Sequence, residues 1–182
     1  AIVDHHPDMA VTFSRDDDGK PQATRHGSIG MGLAIDVERR GERPLMVPVI
    51  KGTEEMNFRE FVDAYGDVVD RTMANKLTVE DFQGALVSLT NPGTIGTVLS
   101  VPRLMSGQSV IVGVGKLDHP TAYQGADPET IANLGISKVL TLTSTYDHRV
   151  IQGAESGSFL KTVERLLLGE EDFYRRIFAD VG

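Results

Sequence analysis

Three segments near the start of the chain alternate apolar and polar residues, which is typical of half-buried strands. They cover residues 9–13, 29–37 and 45–50. The first runs into an Asp-Gly turn at Asp18-Gly19, and the third is interrupted by Pro48. Because proline cannot donate a backbone hydrogen bond to a neighbouring strand, the third strand is predicted at a sheet edge or a bulge.

Helical periodicity follows. Apolar side chains at three- and four-residue spacing predict a helix over residues 58–73, with Asn57 as its N-cap. The face predicted to be buried consists of Phe58, Phe61, Val62, Tyr65, Val68, Val69 and Met73. A second amphipathic helix is predicted over residues 155–168, ended by Gly169 and followed by a short helix over residues 170–178. Its predicted inward residues are Phe159, Leu160, Val163 and Leu167.

Further strands are predicted over residues 85–90, 109–114 and 139–145. The first of them ends in Asn91-Pro92-Gly93, a strong turn signal. Strands and helices are mixed without strict alternation. The pattern therefore predicts an α+β domain with a mixed sheet rather than a doubly wound fold.

Composition and charge narrow the function classes. The 182 residues are 40% hydrophobic, which fits one globular domain over 1–182. Absence of cysteine excludes a disulfide scaffold, a thiolate nucleophile and a cysteine-ligated zinc. The sequence has a net charge of −8 and no basic stripe of the kind that nucleic-acid-binding proteins show. The basic stretch at 38–43 is interleaved with acidic residues, as in a solvated hairpin tip.

Membrane-spanning, secreted, nucleotide-binding and calcium-binding proteins have sequence features that this chain does not show. No apolar run approaches the roughly 18 residues of a membrane span, and the first residues do not resemble a signal peptide. Gly113-Val114-Gly115-Lys116 lacks the third glycine of a dinucleotide fingerprint and the Ser/Thr of a P-loop. The acidic run 16–18 is most simply a turn, without the ligand spacing of a calcium loop. We expect a cytoplasmic protein that binds neither membrane nor nucleic acid.

Of the five histidines, His148 stands where a buried strand gives way to a helix, between Asp147 and Arg149. Strand ends that open into loops are common places for catalytic groups. Spacing alone leaves two interpretations open, a catalytic histidine and a satisfied histidine that caps a strand. The pair His5-His6 is either part of a metal site or solvent-facing, and no second ligand cluster accompanies it.

Three segments resemble one family in order and separation. Residues 145–154, with Asp147-His148-Arg149 and Gly153-Ala154, are similar to the Asp-His-Arg-x-x-Asp-Gly-Ala signature of dihydrolipoyl acyltransferases. Residues 87–96 resemble the strand and turn that carry the family's catalytic Ser or Thr, and residues 75–84 resemble the segment before it. Gln152 followed by Gly153-Ala154-Glu155-Ser156-Gly157 resembles one branch in particular, the succinyltransferase-like domain of actinobacterial multifunctional 2-oxoglutarate dehydrogenase/decarboxylase chains.

The resemblance implies a chloramphenicol acetyltransferase-like two-layer fold whose first helix and strand lie outside this chain, as part of a larger protein. It implies succinyl transfer between dihydrolipoamide and coenzyme A, both substrates, with no metal in this domain. Thiamine diphosphate and Mg²⁺ are implied only for a fused neighbouring region. The implied partners are two further copies in a homotrimer, the lipoyl domain of an acyltransferase component, and dihydrolipoamide dehydrogenase.

The resemblance also assigns roles. His148 becomes the general base, because histidine side chains ordinarily titrate near neutral pH. Thr90 becomes the hydroxyl donor to the oxyanion, the alternative being a threonine that bonds its own turn. In the family these two groups come from different subunits. Asn91 is expected to shape the turn after Thr90, and Arg103 to meet the succinyl carboxylate or a coenzyme phosphate.

Gly30 and Gly32 could admit a pantetheine arm close to a strand, although a bulge or tight packing would require glycine equally. Gln152 departs from the family pattern, which usually has an aspartate four residues after the histidine. Glutamine carries no charge. A second hypothesis therefore stays open, in which the domain is a catalytically weak or inactive assembly or regulatory module of a thiamine diphosphate-dependent enzyme.

Overall fold

The computed structural model describes residues 1–38 and 41–179. Its strands are β1 Val11–Arg15, β2 Pro21–Arg25, β3 Met31–Asp36, β4 Leu45–Met46, β5 Val49–Ile50, β6 Val87–Thr90, β7 Val110–Val114 and β8 Leu142–Tyr146. Its α-helices are α1 Ile2–His5, α2 Phe58–Met73, α3 Pro128–Asn133, α4 Gly153–Leu167 and α5 Phe173–Phe178. Short 3-10 turns cover Pro7–Ala10, Val79–Phe82, Pro92–Ile95, Thr121–Tyr123 and Glu170–Asp172.

The main sheet has six strands in the order β4-β3-β6-β7-β8, with β5 also paired to β3. β6 runs parallel to β3 and β7, whereas β4, β5 and β8 run antiparallel to their neighbours. This mixture confirms the predicted α+β class with a mixed sheet. β1 and β2 form a separate antiparallel hairpin. The break at Pro48 splits the third predicted strand into β4 and β5, both on the β3 edge, as expected.

Helices α2 and α4 cover one face of the main sheet. One buried cluster joins Val87 and Val110 to Ile151 and Phe159 of the α4 region. A second joins Leu33 and Ile50 to Val68 of α2. Because side chains alternate along a strand, Ser88 and Thr90 of β6 point to the opposite face. That face is covered by the segment 97–108, where the Ser100 carbonyl accepts a hydrogen bond from Thr143 Oγ1 at 2.8 Å and Gln108 donates to Ser88 at 2.7 Å.

Local end signals are confirmed. Asn57 caps α2 and forms a capping box with Glu60. Gly169 follows the end of α4 with φ of 91°, a left-handed conformation that favours glycine. The predicted helix over 170–178 is a 3-10 turn followed by α5.

The buried faces of both helices were predicted too wide or out of phase. On α2, Val68 and Thr72 are buried, whereas Val62, Tyr65 and Met73 are about half exposed. Seven apolar positions span a wider arc than one sheet can cover. On α4, Leu166 is buried and Leu167 is 45% exposed, so the prediction that Leu167 faces inward is wrong. The contact follows the spacing Phe159, Val163 and Leu166 instead.

Within the described residues, no helix is long and apolar enough to cross a membrane. The basic stretch predicted as a hairpin tip includes Arg39 and Arg40, which lie outside the described residues.

Candidate active site

His148 lies in a tight turn between β8 and α4. The backbone of this turn is fixed on both sides, since Asp147 N–H donates to the Ser109 carbonyl at 3.1 Å and the Asp147 carbonyl accepts from Val150 and Ile151 at 3.1 and 2.9 Å. The side chain of Ile151 is 1% exposed in the core. The turn is therefore anchored to the start of β7 and to the hydrophobic core. A turn fixed in this way holds its side chains in one orientation, which a functional residue needs.

Asp147 and Arg149 form a forked ion pair on either side of His148. Arg149 Nε donates to Asp147 Oδ1 at 2.8 Å, and its Nη2 donates to Oδ2 at 2.6 Å. Arg149 N–H also donates to Oδ1 at 3.1 Å. The guanidinium holds the pKa of Asp147 below its ordinary value, and the carboxylate raises the pKa of Arg149. The pair is ionised at neutral pH and holds the turn closed.

The imidazole of His148 is exposed and borders a cavity of about 460 Å³. Its ring centroid lies 5.4 Å from that of Tyr146, and no described residue forms a hydrogen bond with the ring. The cavity has three walls, which are formed by strand β1, by the loop before β7, and by the turn that carries His148. Its lining residues are Thr12, Phe13, Leu104, Met105, Ser106, Gly107, Gln108, Tyr146, Asp147, His148 and Arg149. An exposed imidazole beside a cavity of this size can reach a ligand's proton.

Thr90 lies at the other end of the sheet. It pairs with Gly113 of β7, which pairs with Thr143 of β8. His148 lies five positions beyond Thr143, so the two side chains are separated by roughly 15 Å or more at about 3.3 Å per strand residue. Groups that act on one reacting centre must lie within hydrogen-bond reach of it. Within one chain, His148 and Thr90 therefore cannot serve the same site.

The surroundings of Thr90 bear on its alternative role. The side chain is partly buried, and its hydroxyl has no hydrogen-bond partner among residues 1–38 and 41–179. It is Thr94 that bonds the turn, donating to the Asn91 carbonyl at 3.1 Å. Asn91 precedes the 3-10 turn Pro92–Ile95 and is exposed. Among the described residues Thr90 does not bond its own turn, so that alternative is not met, and its role as an oxyanion donor stays a prediction.

Arg103 and Gln152 are both exposed. Arg103 lies in the loop that leads to the cavity wall, and no carboxylate among the described residues forms an ion pair with it. Gln152 is the N-cap residue of α4, but its side chain makes no capping hydrogen bond. Contact of either side chain with a ligand or another subunit stays a prediction.

Gly30 and Gly32 are packed against protein. A Cβ atom at Gly30 would lie 2.0 Å from the Gly84 carbonyl oxygen, and one at Gly32 would lie 2.5 Å from Ser88 Oγ. Tight packing, one of the alternatives left open by the sequence, accounts for both glycines. Their contact with a coenzyme stays a prediction.

We expect Gly30→Ala to destabilise the protein by roughly 1–3 kcal/mol or more, because the new methyl group collides with backbone that cannot move aside. The free energy of unfolding from chemical denaturation measures this. Gly157→Ala is the matched control, since Gly157 lies inside α4 and a Cβ there meets nothing within 4 Å. It should stabilise by roughly 0.5–1 kcal/mol. A Gly30→Ala variant of wild-type stability with weakened coenzyme A binding would assign this glycine to a ligand instead.

Three of the other four histidines contact polar side chains of the protein, whereas the buried Nδ1 of His119 has no hydrogen-bond partner among the described residues. His6 is buried, with Nδ1 2.8 Å from Glu155 Oε1 and Nε2 2.8 Å from Thr162 Oγ1, so both ring nitrogens are engaged on α4. His5 lies 3.6 Å from Glu171, and His26 bonds Thr12 at 2.7 Å. The part of the chain that the structure describes contains no group of three or more potential ligands for a metal ion. The acidic run 16–18 forms a turn in which Asp16 accepts from the backbone of Asp18 and Lys20.

The sequence alone did not connect Phe13 and Tyr146 to the site. Tyr146 adjoins Asp147, and its place in the motif segment was a usable signal. Phe13 is 136 positions before Arg149, yet its ring lies 4.0 Å from the Arg149 Cζ atom. No periodicity or spacing relates these positions, so only the folded chain reveals the contact.

Comparisons with known proteins agree on one family. The model of the 2-oxoacid dehydrogenases acyltransferase (catalytic domain) family matches residues 1–173. Multifunctional 2-oxoglutarate metabolism enzymes of Mycobacterium sp. (strain JLS) and Mycolicibacterium vanbaalenii are each 54% identical to the chain, over 183 and 181 residues. The match covers 100% and 99% of this chain and 14% of each relative. The chain thus spans about a seventh of the length of the curated relatives that it matches.

Solved structures share the fold. Dihydrolipoamide acetyltransferase of Azotobacter vinelandii matches with a TM-score of 0.71 at 24% identity, covering 91% of this chain and 63% of that one. A truncated catalytic core of the 2-oxoacid dehydrogenase multienzyme complex of Thermoplasma acidophilum matches with a TM-score of 0.73 at 22% identity, covering 93% and 70%. At these identities the likeness shows the architecture alone.

Proposed function

The chain belongs to the 2-oxoacid dehydrogenases acyltransferase (catalytic domain) family, and we propose that it transfers a succinyl group between dihydrolipoamide and coenzyme A. The proposal treats the chain as the acyltransferase domain of a longer protein in a 2-oxoglutarate dehydrogenase system. The observation that carries it is the exposed imidazole of His148, which forms no hydrogen bond with any described residue and lies beside a cavity on a turn fixed at both ends.

The choice of succinyl rests on the relatives. The enzymes at 54% identity are named for 2-oxoglutarate metabolism, and oxidative decarboxylation of 2-oxoglutarate leaves a succinyl group. A succinyl group carries a carboxylate, so its site should offer a cation. Arg103 is exposed and has no ion-pair partner among the described residues, which suits it to that carboxylate or to a coenzyme phosphate.

The proposed chemistry assigns one step to each group. The imidazole of His148 takes the proton from the attacking thiol, whose ordinary pKa of about 8.5 leaves it mostly protonated at neutral pH. The thiolate attacks the thioester carbonyl, and the carbonyl oxygen becomes an oxyanion that accepts a hydrogen bond from the Thr90 hydroxyl. The tetrahedral intermediate then collapses, the second sulfur leaves, and the imidazolium returns its proton to that sulfur. No metal and no covalent enzyme intermediate take part.

The separation of His148 and Thr90 within one chain supports a site built from two copies. We propose that the site forms between subunits of a homotrimer, with His148 from one copy and Thr90 from the next. In such a cyclic arrangement each interface is heterologous and brings different surfaces together. The sheet register supports this, because each chain presents His148 at one end of β6–β8 and Thr90 at the other. Acyl groups would arrive on the lipoyl domain of a partner component, with dihydrolipoamide dehydrogenase acting in the same system.

Gln152 does not exclude activity. The catalytic roles of a serine, a histidine and an asparagine have been investigated in the Azotobacter vinelandii enzyme, where the asparagine follows the histidine by four positions. Gln152 follows His148 by the same interval and is likewise an uncharged amide. The alternative, an inactive assembly or regulatory module beside a thiamine diphosphate-dependent region, predicts no acyl transfer by any acyl group.

The testing experiment uses the full-length protein. Transfer from succinyl-coenzyme A to free dihydrolipoamide is measured beside transfer from acetyl- and isobutyryl-coenzyme A. We expect a kcat/KM for succinyl at least about tenfold above the others, since one carboxylate paired with a guanidinium is worth more than 1.4 kcal/mol when desolvated. Equal rates would remove the succinyl assignment, and no transfer with any of the three would leave the assembly module as the better hypothesis.

A further inference from the structure

We infer that Phe13 is a positioning residue for the turn that carries His148, acting through Arg149 and Asp147. Its kinetic effect rests on the proposed acyltransferase function, whereas its structural effect does not. The contact joins two elements that share no strand pairing, the hairpin β1–β2 and the turn after β8.

The hairpin places Phe13 reliably. Thr12, the residue before it, is buried and bonds His26 at 2.7 Å, and His26 N–H donates to the Ala10 carbonyl at 3.2 Å. These bonds join the two strands at the base of the hairpin to each other. The residues just before β1, Met9 and Ala10, are buried in the main hydrophobic cluster, and this attaches the hairpin to the body of the protein. Phe13 pairs with Ala23 across the hairpin, and its ring forms part of the cavity wall.

The Phe13 ring gives the Arg149 guanidinium a contact outside its own turn. The Arg149 side chain is 60% exposed, and within the described residues its hydrogen bonds all go to Asp147, two residues away on the same turn. Nothing in those bonds ties the side chain to the rest of the molecule. The Phe13 ring, 4.0 Å from Cζ, is the contact that does so. A cation held over an aromatic face loses freedom and gains electrostatic attraction.

Loss of the contact between Phe13 and Arg149 would affect His148 through its two neighbours in the chain. Asp147 and Arg149 flank His148 in sequence, and the ion pair closes the turn around it. If the guanidinium leaves its place, the Asp147 carboxylate loses its bidentate partner and the turn gains conformers in which the imidazole no longer faces the cavity. Phe13 lines the same cavity as His148, and the role inferred for it is to hold Arg149 in place, not to act on the reacting groups.

Kinetics of full-length variants provide the first test. We expect Phe13→Leu to lower kcat roughly threefold to tenfold with little change in KM, and Phe13→Tyr, which keeps the ring face, to retain activity. Combined with Arg149→Met, Phe13→Leu should cost nothing further, because both changes break one contact. Arg15→Met is the matched control, since the Arg15 Cζ lies 5.7 Å from the same ring but its guanidinium bonds Gly19 of the hairpin. Additive losses, or an equal loss with Arg15→Met, would overturn the inference.

A crystal structure of the Phe13→Leu variant provides a test that needs no activity. Release of the Arg149 side chain from Asp147, or alternate conformers confined to residues 147–150, would support the positioning role. An Arg149 that keeps its fork on Asp147 unchanged would overturn it. If the wild type transfers no acyl group, the proposed function is wrong. The crystal structure of the Phe13→Leu variant would still show whether Phe13 holds the turn in place.

Discussion

Replacing His148 with alanine should lower the rate of succinyl transfer by about 10³-fold, because the attacking thiol loses the base that removes its proton and the departing sulfur loses its proton donor. The imidazole is exposed and makes no hydrogen bond with any described residue, so its removal should leave folding unaffected. Initial rates with succinyl-coenzyme A and dihydrolipoamide measure the loss in the full-length protein.

The matched control is His5→Ala. His5 is also partly exposed, but it lies on α1 beside Glu171, away from the cavity. It should keep the wild-type rate. A higher assay pH should partly restore His148→Ala, since more of the thiol then ionises without a base. Full activity in His148→Ala at neutral pH would remove this residue from the mechanism.

Thr90→Ala should lower the rate by about 10²- to 10³-fold, the usual effect of deleting one donor to an oxyanion. The hydroxyl of Thr90 is unpartnered within the described chain, so the loss should appear in kcat and not in stability. Thr90→Ser keeps a hydroxyl and should retain most of the activity.

Mixing the two inactive variants tests where the site lies. If His148 and Thr90 come from neighbouring copies, random assembly of His148→Ala with Thr90→Ala subunits should rebuild about a quarter of the sites in wild-type form. Activity should therefore rise from near zero to roughly a quarter of the wild-type value once the subunits exchange. Activity that stays at the mean of the two parents would show that both residues do not serve one shared site between copies.

Local sequence signals predicted most elements. Asn57 as a cap, Gly169 as a stop, Pro48 as a break and the turn after Thr90 each depend on a few neighbouring residues, and the structure has all four. The motif around His148 likewise lies within ten residues. These features follow from backbone sterics and end-capping hydrogen bonds, which short segments determine by themselves.

What the sequence could not provide depends on contacts between distant segments. The phase error at Leu167 arose because Leu166, Leu167 and Leu168 are all apolar, so the sequence pattern does not show that only Leu166 of the three is buried. The positions of Thr90 and His148 at opposite ends follow from the register of β6, β7 and β8, which no local pattern records. The contact of Phe13 with Arg149 depends on where the separate hairpin comes to rest.

The opposite placement of Thr90 and His148 has a genetic consequence. Under the proposed arrangement, each chain contributes His148 to one site and Thr90 to a second site. One copy that is defective at both positions therefore inactivates two sites. In a ring of three, a single such copy would leave about one third of the activity instead of two thirds. A defective allele expressed beside a normal one should therefore be partly dominant, and more damaging than its share of the protein suggests.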